Sequence, residues 1–86
     1  MLVIDDGAVQ PLTEMGALRI TAEETEDGVE LQIEEATAPS DGDEVVERDG
    51  ARVYLDALAA EVLDDQVLGV GAHGDHFHFT FEDQPV

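Results

Sequence analysis

The chain has 86 residues, with 22 carboxylates against three arginines and no lysine, for a formal net charge of −19. It contains no cysteine, which excludes disulfides, thiolate metal sites, thiolate-bound iron–sulfur clusters and cysteine nucleophiles. Hydrophobic residues make up 43% of it, enough to fold one small domain over residues 1–86.

Residues 2–4, LVI, predict a short strand. Asp5 or Asp6 then caps a short helix that uses Val9, Leu12 and Met15. Pro11 predicts either a break near Gln10 or a start close to the proline itself. ALRITAE (17–23) alternates, with Leu18, Ile20 and Ala22 facing one way and Arg19, Thr21 and Glu23 the other. VELQIE (29–34) does the same, with Val29, Leu31 and Ile33 inward, so both read as half-buried strands. Asp27-Gly28 between them supplies a hairpin turn. EEATAPSDGD (34–43) is a loop with Pro39 and Asp41-Gly42. EVVER (44–48) and ARVYLD (51–56) are separated by Asp49-Gly50 alone, the strongest short hairpin signal in the chain. Asp56 caps a helix over 57–63 with an apolar stripe of Leu58, Val62 and Leu63. A last strand pair follows, QVLGV (66–70) and HFHFTFE (76–82). This order predicts an α+β, mainly β domain: a compact twisted antiparallel or mixed sheet with two short helices.

All three histidines lie between Gly71 and Val86. In a strand, His76, His78, Thr80 and Glu82 share one face, opposite Phe77, Phe79 and Phe81. The phenylalanines take the core, because three of them in water would form a costly patch. His73 falls in the Gly71–Asp75 turn. His73, His76 and His78, with Asp75 or Glu82, form a candidate site for zinc, nickel, copper or ferrous iron. Exposed histidines without a ligand are the simpler expectation, and then no cofactor is needed.

The remaining chemistry is sparse. SDGDE (40–44) lacks the twelve-residue calcium loop and reads as a turn leading into a strand. Ser40, the single serine, sits in a Pro-Ser-Asp-Gly loop rather than a strained elbow. No lysine is present for a Schiff base, and no glycine-rich phosphate loop occurs. A non-enzyme is expected. Tyr54 alternates with Val53 and Leu55 and takes a structural role. The acidity reads as a solvated surface that opposes nucleic acid and anionic membranes. Salt adaptation, docking to a basic protein partner, or cation binding would each account for it. A monomer or weak homodimer is expected. No apolar run is long enough to span a bilayer, and with no disulfide or signal peptide a cytoplasmic location is the default.

GDEVVERDGARVYLDALAAEVLDDQVLGV (42–70) resembles the HesB-like, or A-type iron–sulfur cluster carrier, family in the order of hairpin, short helix and strand. LVIDDGAV is similar to that family's first strand and helix start. ALRITAE is similar to its Gly-Leu-Arg strand, with Arg19 as the arginine, and HFHFTFEDQP to its Gly-Phe-Lys-Phe-x-Asn-Pro segment. The resemblance implies a HesB-like β-sandwich with two short helices. It also implies three cysteine ligands, and here the pattern departs. The first ligand position falls at about Glu26 in TEDG (25–28), and the other two belong to a Cys-Gly-Cys tail past the segment matched by this chain's last residues. The first helix is also shortened, with Met15 and Gly16 meeting the next strand early. The resemblance therefore points to a divergent member. The expected function is a non-catalytic accessory or interaction protein, possible links to iron–sulfur assembly running through protein contacts. The alternative is a small metal-binding protein using its C-terminal histidines.

Overall fold

The computed structural model describes residues 1–74 and 76–84; for Ala72, His73, His76 and Phe77 it describes the strand backbone alone. Nine elements follow one another: β1 (Val3–Ile4), α1 (Asp6–Met15), β2 (Leu18–Thr25), β3 (Gly28–Glu35), β4 (Glu44–Arg48), β5 (Ala51–Leu55), α2 (Ala57–Val62), β6 (Gln66–His73) and β7 (His76–Asp83). They form a three-stranded sheet in the order β1-β6-β7 and a four-stranded sheet in the order β3-β2-β5-β4. Pairs β1–β6 and β2–β5 are parallel, and the hairpin pairs are antiparallel. The α+β, mainly β fold with two short helices is as expected.

The sheets meet where β1 approaches β4. There the Arg48 guanidinium donates from Nη1 to the Ile4 carbonyl at 2.5 Å and pairs with Asp6 through Nη2. Helix α1 packs against β5 and β6, and α2 against β2 and β5. Among the described residues the core between them is apolar, with Leu2, Ile4, Leu12, Ile20, Leu55 and Leu68 fully buried.

Helix α1 runs unbroken through Pro11, against the expected break at Gln10. Proline removes one donor and crowds the carbonyl four residues earlier, here Gly7. Burial of Ala8 and Leu12, four apart on one face, outweighs that local penalty. Asp5 caps the helix by accepting from Gly7 N–H at 3.1 Å. Gly16 ends it with φ 98°, its N–H bonding Leu12 O at 3.0 Å.

Both predicted hairpins form, one with a shifted turn. In β2–β3 the closing pair is Thr25↔Gly28, so Glu26 and Asp27 make the turn rather than Asp27-Gly28. In β4–β5 the turn is Asp49-Gly50, with φ of 50° and 93°, the positive dihedrals a type I′ turn requires. Helix α2 begins at its Asp56 cap, whose carboxylate accepts from Ala59 N–H at 2.8 Å. Its buried positions are Ala59 and, just past its end, Leu63; Leu58 is half-buried and Val62 exposed. The stripe is thus turned from the one expected: the face that α2 sets against β2 and β5 is the one bearing Ala59 and Leu63. β3 also departs from expectation. Val29, Leu31 and Ile33 share a face with Ile20 and Ala22 through the register, yet Val29 and Ile33 remain 44% and 38% exposed. The three-stranded sheet does not extend far enough to cover this edge strand, whose main contacts are with β2.

Candidate functional site

Strand β6 pairs with β7 from Gln66↔Asp83 to His73↔His76. His73 therefore lies in β6, not in a Gly71–Asp75 turn as expected; the ladder extends three residues past Val70. Leu68 and Val70 face Phe81 and Phe79 across the ladder. Leu68 is buried, and Phe79 and Phe81 pack against the core as the alternation required. Phe77 has its side chain outside the described residues.

The other face of this hairpin is turned outward. Gly69 lies opposite Thr80 and Gly71 opposite His78. A Cβ on Gly71 would lie 2.8 Å from Nε2 of His78, and one on Gly69 would lie 3.1 Å from the Thr80 hydroxyl. The two glycines give His78 and Thr80 room to lie across the strand. Glycine at i and i+2 in a strand is a sequence signal of close approach, and it was readable in VLGVGAH. Beside it, Asp5, Val67, Gly69, Val70, Thr80 and Glu82 line a shallow depression of about 170 Å³. Such a volume takes a handful of waters and falls below the roughly 300 Å³ at which pockets begin to enclose small organic ligands. Of its two carboxylates, Asp5 is already engaged as the α1 cap.

The predicted ligand residues are placed as follows. His78 and Glu82 are exposed on the outer face of β7. His73 and His76 are opposite one another in the ladder, with side chains outside the described residues, and Asp75 lies outside them altogether. Glu26 is exposed at the tip of the β2–β3 hairpin. Among the described residues, no three histidine or carboxylate side chains converge to hold a metal ion.

The acidic loop has a structural task. Arg19, projecting from β2, donates to Asp43 from Nε at 3.0 Å and Nη2 at 3.1 Å. Asp43 also accepts from Ser40 N–H at 2.9 Å, and its side chain is only 2% exposed. The paired guanidinium, then the Ser40 N–H, hold the Asp43 carboxyl below the usual aspartate range. The same bond raises Arg19 above its ordinary value. SDGDE is thus a latch that fastens the 36–43 loop to β2. Arg48 pairs with Asp6, and Arg52 with Glu47 at 2.9 Å, so all three arginines of the chain are bound by its own carboxylates.

No helix among the described residues is long and apolar enough to cross a membrane. Neither a known family model nor a curated protein sequence matches the chain. Solved structures do match in shape. The crystal structure of IscA with the [2Fe-2S] cluster aligns with a TM-score of 0.78 at 19% identity, over 96% of this chain and 85% of that one. Escherichia coli SufA, described as involved in biosynthesis of iron–sulfur clusters, aligns with a TM-score of 0.81 at 20% identity, over 95% of this chain and 79% of that one. The chain therefore has the HesB-like, A-type fold of IscA and SufA, built from a sequence without a single cysteine.

Proposed function

We propose that the chain is a cytoplasmic, non-catalytic accessory protein of iron–sulfur cluster assembly, which acts through contacts with other proteins and carries no cluster on thiolates. The observation that supports this most is the A-type fold joined to a sequence of 86 residues with no cysteine. Glu26 occupies the hairpin tip, where the sequence resemblance puts the first thiolate. Its partner has a basic contact surface, because every arginine here is already paired and the remaining charge is negative. The same charge disfavours nucleic acid and anionic membranes.

Two measurements test the reading together. Anaerobic incubation with ferrous iron and sulfide should leave the visible spectrum free of cluster absorbance. A pull-down at moderate salt against purified cluster-assembly components should retain at least one of them. A bound cluster, or no retained component, overturns it.

A second reading has its own support. By ladder parity, positions 73, 76 and 78 fall on one face at the end of the β6–β7 hairpin. This suits a zinc, nickel or ferrous ion held by histidines. The same protein, titrated with zinc and nickel while the histidine ring signals are followed, should then bind stoichiometrically at micromolar concentration and lose binding in His76→Ala. Shifts no larger than those of free histidine would remove this second reading.

A further inference from the structure

Strand β3 ends the four-stranded sheet and is paired only to β2. The direction of its free groups follows from β2. Ile20 O accepts from Asp56 N–H at 3.2 Å, and Ala22 N–H donates to the Asp56 carboxylate at 3.3 Å. Both residues therefore aim their backbone away from β3. Successive residues of a strand alternate in this respect, so Arg19, Thr21 and Glu23 bond β3 through their register partners Glu34, Gln32 and Glu30. That leaves Val29, Leu31, Ile33 and Glu35 with N–H and C=O groups pointing off the sheet, and among the described residues none of these groups has a partner. Val29 and Ile33 also carry exposed apolar side chains, on either side of a half-buried Leu31 that packs against the core. Free ladder groups and exposed apolar side chains thus coincide on one strand.

The charge around this edge selects what can occupy it. Glu30, Glu34 and Glu35 lie on β3, and Glu23, Glu24 and Glu26 on β2 and the turn. The single cation of the hairpin, Arg19, is bound by Asp43. A second copy set edge to edge would bring these carboxylates against their own kind, on molecules each carrying −19.

We propose that the β3 edge captures an extended basic segment of a partner protein as an added strand, with Lys or Arg alternating with β-branched or aromatic residues. The apolar positions of that segment cover Val29 and Ile33, and its basic positions meet Glu30 and Glu34. Main-chain bonds supply the affinity and the alternation supplies the selectivity. This deepens the reading of the chain as an interaction protein and rests on it.

The test uses a synthetic eight-residue peptide of alternating lysine and valine, titrated into the labelled full chain at low salt. A helical lysine–alanine peptide of equal charge serves as control. The alternating peptide should slow hydrogen exchange at the amides of Val29, Leu31 and Ile33. Val29→Lys with Ile33→Lys, both at exposed positions, should weaken it at least about tenfold, a difference of 1.4 kcal/mol. Val62→Lys, on the exposed side of α2, should change affinity less than about twofold, as a surface charge remote from the edge. Equal binding of the helical peptide, shifts scattered over the acidic surface, or no binding would overturn the inference. So would protection of β3 that grows with protein concentration alone, which would mean that a second copy occupies the edge. If cluster-assembly components bind while the peptide fails, only the edge-strand route is lost. If the peptide binds while no component does, the capture stands and its pathway falls.

Discussion

Arg19 and Asp43 are joined by two hydrogen bonds at a point where the aspartate side chain is nearly closed off from water. The pair sets a pH dependence. The Asp43 carboxyl is held low in the folded chain and reverts to the ordinary value, about 3.9, when the chain unfolds. A depressed folded value contributes stability above the unfolded value and loses it as pH falls toward the folded one. Asp43→Asn should therefore unfold at a lower temperature than the parent near pH 7. The gap should narrow as pH drops below about 4. Thermal unfolding of both proteins between neutral and acidic pH checks this, and a gap that persists unchanged in acid would show that the latch holds by shape alone.

Among the elements, α2 is tied to β2 through one side chain. Asp56 caps its first turn through Ala59 N–H, and the same carboxylate receives Ala22 N–H from β2. Asp56→Ala should cost about 1–2 kcal/mol, read as a lower urea midpoint with an unchanged slope. The cap was legible in the sequence, as was the Asp49-Gly50 turn, because each is decided by two or three neighbouring residues. The Phe79 and Phe81 side of β7 was legible for the same reason, since alternation sorts faces without reference to the rest of the chain. What could not be read depends on partners distant in sequence. Pro11 is tolerated because Ala8 and Leu12 are buried on a helix that packs against β5 and β6, strands far along the chain. The uncovered state of Val29 and Ile33 depends on where the other sheet stops. Arg19 stood out by family resemblance, but nothing in ALRITAE names Asp43, 24 positions later, as its partner.

For the molecule as a whole, the strongest influence outside the core is its own charge. All three arginines are neutralised internally, so the net −19 acts as self-repulsion that unfolding relieves. Salt shortens the reach of that repulsion from about 30 Å at 0.01 M to about 3 Å at 1 M. Raising sodium chloride across that range should stabilise the fold by on the order of 1 kcal/mol, or about 4–8 °C in Tm for a domain of this size. Calorimetry at the two salt concentrations measures it, and an unchanged or lower Tm would show that the carboxylates are too dispersed to repel.

The parallel pairing of β1 with β6 sets Val3 beside Val67 and Ile4 beside Leu68. The first strand of the chain is completed by one of the last. During synthesis, Leu2 and Ile4, both buried in the finished domain, have no strand to pair with until β6, 64 positions further along in the register, has emerged. Closing so long a loop is slow compared with forming the local hairpins. The domain thus closes only once β6 is made, and until then the apolar residues of β1 stay open to chaperones or to unwanted association.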